Sequence, residues 1–335
     1  MSLMQTQSLT IGYTEGKNHK VLQRNLNLSI SKGEIISLMG QNGVGKTTFI
    51  KTITGLHPSL EGDVHYQNVA IEQLSKQTLS KKISVVLNEK PFAANLSVVE
   101  LIALGRHPYS NWLGRLSTLD KEAIDTAITQ TKINYLANKK LYQLSDGQFQ
   151  KVMIARALAQ DTDLIILDEP TAHLDLNNKI EIMLLLRTIA ENGKGILIST
   201  HDLQISLQLS DQLWLFNFNK PVRYGCPEDL ILQGAIEQTL FPVNDNIDLR
   251  TGTVKQLTAT NGAIRIIGDE SSVFWTSQAL HRNGFSSQDT DAEMNLNCHH
   301  DGTWHFSYKG ELIIFEAIEQ LLSHLKTIIK VARND

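Results

Sequence analysis

Lys46 and Thr47 close the pattern G-x-x-x-x-G-K-T over residues 40–47 in "SLMGQNGVGKTTFIKTITGL". These residue types at this spacing point to one chemistry. The glycines let the backbone curl so that successive N–H groups face one phosphate, the lysine reaches the β- and γ-phosphates, and the threonine hydroxyl is offered to Mg²⁺. The expected triphosphate cradle is Gly40, Gln41, Asn42, Gly43, Val44, Gly45, Lys46, Thr47 and Thr48. A second group lies in "DTDLIILDEPTAHLD", where Asp168 can bind Mg²⁺ through its water shell and Glu169 can polarise the attacking water. His201, directly after "GILIST", is placed to touch the γ-phosphate. A fourth group is "LSDGQ", residues 144–148. Ser145 and Gln148 form an S-x-x-Q capping box, and the same helix start offers free N–H groups and a positive dipole end to an anion. Capping and anion binding are compatible, and these five residues alone do not choose between them.

Positioning these groups needs a particular set of elements. Residues 35–39 read as a short apolar strand entering Gly40, followed by helical periodicity that Gly55 ends. Residues 164–167 and 195–200 are continuous apolar runs, as expected of strands buried on both faces of a parallel sheet. Ligands of such sheets collect at the strands' carboxyl ends, where Asp168, Glu169 and His201 all fall. The fold class is therefore α/β.

Bulk properties narrow the partners. The 335 residues carry a net charge of −4, with 41% apolar and 20% charged residues, so no basic field argues for nucleic acid. The two cysteines, Cys226 and Cys298, lie far apart and define no metal spacing. "MSLMQTQSLT" lacks the regions of a signal peptide, and no apolar run approaches the ~18 residues of a membrane span. A cytosolic chain is expected unless something anchors it.

In order and mutual spacing these pieces resemble the ATP-binding subunit of an ABC transporter, over roughly residues 3–240. The resemblance implies a P-loop ATPase domain over 1–243 with a helical insert at about 88–160. It also implies that the "LSDGQ" helix faces the phosphate loop of a second subunit, so that Ser145, Gly147, Gln148 and Asp175 act in trans across a homodimer. Tyr13 would stack on adenine, a contact worth ~1 kcal/mol. Lys46, Glu169 and His201 would be catalytic. Asn88 stands where the family usually carries a glutamine that contacts Mg²⁺, and its shorter side chain reaches less far. The implied cofactors are ATP and Mg²⁺. The implied partners are integral-membrane permease subunits and, indirectly, a substrate-binding protein, at the cytoplasmic face of the inner membrane. "GRHPY" together with "TAHLD" looks like the ATPases of importers for iron-siderophores, haem or cobalamin. Tyr109, Trp112 and Leu113 are candidates for receiving a short permease helix, with ordinary packing as the alternative. A soluble ABC ATPase acting on a protein or nucleic-acid complex is the rival reading.

Beyond residue 244 the composition shifts to a turn-rich linker and a small α+β domain over 244–335. A helix is expected in "SSVFWTSQALHRNGF" with a serine cap, a hairpin about Asp301–Gly302, and a final helix across "ELIIFEAIEQLLSHLKTIIK". Cys298, His299, His300 and His305 invite a metal site, but strand alternation sends Cys298 and His299 to opposite faces. A regulatory or dimer-stabilising role is the better expectation.

Overall fold

Continuous apolar runs place the centre of the fold. In the computed structural model, which describes residues 2–16, 18–87, 95–110, 115–241, 247–248, 253–254, 261–287 and 292–332, they lie side by side in one sheet. Its order is Arg223–Gly225, Gln212–Phe216, Ile35–Gly40, Gly195–Ser199, Leu164–Asp168 and Ile83–Val86. Every neighbouring pair is parallel except Arg223–Gly225 with Gln212–Phe216. Both faces are covered, which is why the strands read as unbroken apolar runs.

The chain forms two compact units, 1–244 and 245–335. In the first, a second sheet is antiparallel and built on Ser2–Glu15, which pairs with Asn18–Leu26 and Glu61–Tyr66. Helix Lys46–Ile53 supplies Phe49 to an apolar cluster holding Leu9, Ile11, Trp214 and Phe216. The Phe49 ring meets Trp214 and Phe216 edge-on at centroid separations of 5.8 and 5.3 Å. A second apolar cluster takes in helices Asp146–Ala159 and Leu176–Glu191.

In the helical insert, helix Val98–Ala103 is capped by Ser97 and Glu100. It tightens into a 3₁₀ segment, Leu104–Tyr109, that runs through Pro108. The cause is Arg106, which turns inward rather than toward solvent. Its Nε donates to Asp120 Oδ1 at 2.8 Å and its Nη1 to Ala159 O at 2.8 Å, while the guanidinium lies 3.9 Å from the Tyr109 ring centroid. Gly105 permits this approach, since a Cβ there would sit 2.3 Å from Arg156 O.

Unit 245–335 carries a four-stranded sheet in the order Ile264–Gly268, Met294–Cys298, Trp304–Tyr308 and Glu311–Phe315. The first pair is parallel, joined through helix Glu270–Arg282, and the other pairs are antiparallel. The Asp301–Gly302 hairpin forms as expected, with Asp301 Oδ1 accepting from the Thr303 N–H and hydroxyl. Two expectations need correction. Helix Glu270–Arg282 is capped by Asp269, not by serine; Asp269 Oδ2 accepts from Ser272 N at 3.0 Å. The last helix begins only at Ile318, because Glu311–Phe315 is a strand. Lys309 and Gly310, at φ 48° and 84°, make the two-residue turn that folds this segment back onto Trp304–Tyr308. Cys298 is buried in this unit's core, while the rings of His299 and His305 meet at a tilt of 44° with centroids 4.2 Å apart. Among the described residues no three His, Cys, Asp or Glu side chains are grouped to hold a metal ion.

Candidate functional site

The phosphate loop leaves a fully buried strand and enters helix Lys46–Ile53 through Gly43 and Gly45, at φ 80° and 112°. Gly40, at φ 154°, passes so close to the next strand that a Cβ would lie 2.5 Å from Phe216 O. Lys46 is 6% exposed, and its ammonium donates to Gly40 O at 2.8 Å and Gln41 O at 3.3 Å. Burial pushes the Lys46 pKa down, while the nearby Glu169 and Asp168 carboxylates pull it back up. Thr47 Oγ1 donates to Asp168 Oδ2 at 3.3 Å.

Asp168 ends its strand, and Glu169 turns out of the sheet in the left-handed region at φ 50°. That conformation stores strain on the order of 1 kcal/mol and is held by the Glu169 N–H donating to Ser199 O at 2.9 Å. Glu169 Oε1 lies 3.1 Å from His201 Nε2, and Lys46 Nζ lies 3.3 Å from the same nitrogen. With Nε2 unprotonated, the imidazole accepts from Lys46. With Nε2 protonated, it donates to Glu169. One nitrogen therefore reports on both partners, and Lys46, Thr47, Asp168, Glu169 and His201 form one cluster at the carboxyl ends of three adjacent strands.

Ser145, Gly147, Gln148 and Asp175 belong to a different cluster. Ser145 Oγ accepts from Gln148 N at 3.3 Å and Gln148 Oε1 accepts from Ser145 N at 3.2 Å, completing the capping box. Asp175 caps helix Leu176–Glu191 and accepts from Asn178 twice, from the backbone N–H at 2.8 Å and from Nδ2 at 2.7 Å. Asn178 joins the two helix starts, because a Cβ on buried Gly147 would lie only 2.5 Å from Asn178 Oδ1. Lys179, one residue on, donates to Asp202 Oδ2 at 3.0 Å and so ties the Asp175 helix to the segment beside His201.

Tyr13 is 42% exposed, its hydroxyl 2.7 Å from Thr48 Oγ1 and its ring 5.1 Å from that of His57. The Tyr13 face is thus fixed at both ends while remaining open. Tyr109 is exposed, with Arg106 and Lys81 against its ring, beside a cavity of about 700 Å³ lined by residues including His107, Pro108, Arg156 and Gln160. Asn88, Trp112 and Leu113 lie outside the described residues.

Three features escaped the sequence reading. Gln23 is buried and donates to two backbone carbonyls around the phosphate loop. Arg106, quoted above only as part of "GRHPY", anchors the insert. Finally, helix Ala235–Leu240 brings Leu240 and Phe241 to a cavity of about 260 Å³ that is also lined by Gln41, Asn42, Thr200 and His201. None of these residues carries a local motif, because their partners lie well away along the chain.

Comparison with known proteins fits this geometry. A family model described as ABC transporter matches residues 23–172, and one described as iron ABC transporter C-terminal domain matches residues 261–326. An ABC transporter ATP-binding protein of Methanocaldococcus jannaschii is 37% identical over 245 residues, covering 73% of this chain and 83% of that protein. The iron(3+)-hydroxamate import ATP-binding protein FhuC of Bacillus subtilis is 33% identical over 266 residues, covering 79% of this chain and 97% of that protein. Among solved structures, a dimeric bacterial ABC transporter cassette superposes with a TM-score of 0.59 at 28% identity, covering 67% of this chain and 99% of that one.

Proposed function

This chain belongs to the ABC transporter family of ATP-binding subunits, and on that premise we propose that it powers import of an iron chelate of siderophore type. It binds ATP and hydrolyses it to drive transport. The observation that carries the cargo class is the iron-transporter C-terminal match over 261–326, in company with the likeness to an iron(3+)-hydroxamate import protein.

In the proposed reaction Lys46 releases its loop carbonyls and pairs with phosphate oxygens, while the N–H groups of residues 41–48 cradle the rest. Thr47 and Asp168 present oxygen donors 3.3 Å apart, a set suited to a hard cation, and they would hold Mg²⁺. Bound there, Mg²⁺ neutralises charge on the β- and γ-phosphates. Asn88 is retained as a further Mg²⁺ contact on sequence grounds. Glu169 orients and polarises the attacking water, and His201 reaches the γ-phosphate. Tyr13 stacks on adenine. Ser145, Gly147, Gln148 and Asp175 complete the site of a second copy in a homodimer. Their separation from the Lys46 cluster into a group of their own supports that division of labour. Permease subunits would supply the transport path; among the described residues no helix is long and apolar enough to cross a membrane. The cavity beside Tyr109 supports a permease contact there. We place the chain at the cytoplasmic face of the inner membrane, with a substrate-binding protein as an indirect partner.

The test is purification of the tagged full chain from gently solubilised native membranes. Co-purification of a polytopic membrane protein whose substrate-binding companion takes up an iron chelate supports the reading. A chain that emerges free of any membrane protein, or with a companion selective for an unrelated solute, overturns it.

A further inference from the structure

The phosphate loop is held from outside by a residue that belongs to none of the motifs. Gln23 sits on strand Asn18–Leu26, and it is 3% exposed. Its Nε2 donates to Val44 O at 3.0 Å and to Asn217 O at 2.8 Å. Asn217 follows the strand Gln212–Phe216, so one side-chain amide bridges the edge of the antiparallel sheet, the phosphate loop and the exit of a central strand. Leu22 closes the same wall, its Cβ lying 3.2 Å from where a side chain on Gly45 would begin.

The position of Val44 gives this bridge its meaning. Val44 lies between Gly43 and Gly45, both at positive φ. A peptide plane next to glycine rotates at little steric cost, because glycine occupies both signs of φ. In a planar trans peptide the C=O of Val44 and the N–H of Gly45 point in opposite directions. Fixing the carbonyl on the Gln23 side therefore aims the Gly45 N–H away from that wall and into the loop.

We propose that Gln23 is a positioning residue for ATP binding, a clamp that stops the Val44–Gly45 peptide from flipping and so keeps the Gly45 N–H aimed at the phosphates. The proposal rests on the reading of residues 40–47 as the phosphate cradle. Gln23 never touches the nucleotide in this account. Its contribution belongs equally to the bound substrate and the transition state, and a uniform contribution of this kind appears in KM rather than in kcat.

The experiment compares ADP and AMP binding, and ATP hydrolysis, for the full chain and for Gln23→Met, Gln23→Glu and Gln23→Lys. Met keeps the length without donors, and Glu puts oxygen where the donor was. Lys retains N–H donors, and Lys46 already shows a buried ammonium bound to two loop carbonyls. For Met and Glu the clamp requires about a tenfold rise in KM for ATP with kcat within threefold, the equivalent of one lost charge-assisted hydrogen bond. The preference for ADP over AMP should fall by a similar factor, because the phosphate the loop must hold is absent from AMP. Gln23→Lys should keep ADP binding within threefold of the unaltered chain. Equal losses for ADP and AMP, unchanged kinetics in Met and Glu, or failure of Gln23→Lys to bind ADP each overturns the clamp. An unaltered chain with no preference for ADP over AMP would instead refute the phosphate-cradle reading beneath it.

Discussion

Replacing Gly147 by alanine tests whether the two helix starts around Asn178 act as one unit. The new Cβ would lie 2.5 Å from Asn178 Oδ1, and ordinary contact begins at 3.4 Å, so the amide must retreat by about 1 Å. Asn178 Nδ2 now sits 2.7 Å from Asp175 Oδ2, and that retreat takes it to the limit of a hydrogen bond or beyond. The stability terms nearly cancel. Alanine in place of glycine inside a helix gains ~1 kcal/mol, and an Asn178 side chain forced about 30° off its rotamer loses ~1 kcal/mol. The melting temperature should therefore move by less than about 3 °C. Hydrolysis should fall much further, roughly 10- to 100-fold, because a misplacement of about 1 Å in a catalytic constellation has that effect. Phosphate release by the full chain at saturating ATP and Mg²⁺ measures it. The decisive comparison is the double variant. Asn178→Ala already removes the side-chain bond to Asp175 and also removes the obstacle, so Gly147→Ala should add nothing in that background. If the two losses multiply instead, the methyl acts directly on the neighbouring subunit's phosphate, and the coupling argument fails.

Other expectations follow from the same geometry. Tyr13→Ala should raise KM for ATP about fivefold, equivalent to ~1 kcal/mol of stacking, while Tyr13→Phe, which loses only the bond to Thr48, should stay within twofold; equal effects would count against stacking. Glu169→Gln should lower kcat by roughly 10²–10⁴ and leave a chain that is dimeric by light scattering with ATP and Mg²⁺, and a monomer under those conditions would contradict the trans site. Hydrogen bonds from Ser117, then the Arg106 guanidinium, hold Asp120 at about 2 against an ordinary 3.8. A depressed carboxylate stabilises fully above its ordinary value and loses that stabilisation as pH falls through the folded one. Asp120→Asn should thus unfold more easily than the unaltered chain at pH 7, with the gap narrowing as pH falls from about 4 to 2 in acid unfolding monitored by circular dichroism.

The legible parts of this molecule are those whose meaning is local. Gly40 to Thr47, the acids at the end of Leu164–Asp168 and the Ser145–Gln148 cap each declare themselves within a few residues, and the central strands do so by apolar runs. Gln23 could not be read this way. It is one polar residue on a strand, and its two acceptors lie 21 and 194 positions away. Arg106 is similar, since a basic residue in a turn ordinarily faces water and it takes Asp120, Ala159 and the Tyr109 ring to make its burial tolerable. The segment Glu311–Phe315 failed for another reason. Its apolar residues fit a helical stripe continuous with the following helix, and the competing signal, a two-residue turn at Lys309–Gly310, outweighed periodicity.

The cavity shared by His201, Leu240 and Phe241 joins two parts of the chain that lie about forty positions apart. In unit 1–244, Leu240 and Phe241 stand on the wall of the compartment that holds His201. The histidine that meets Lys46 and Glu169 thus shares a wall with the end of helix Ala235–Leu240, so a change in how that helix seats alters the room around all three side chains.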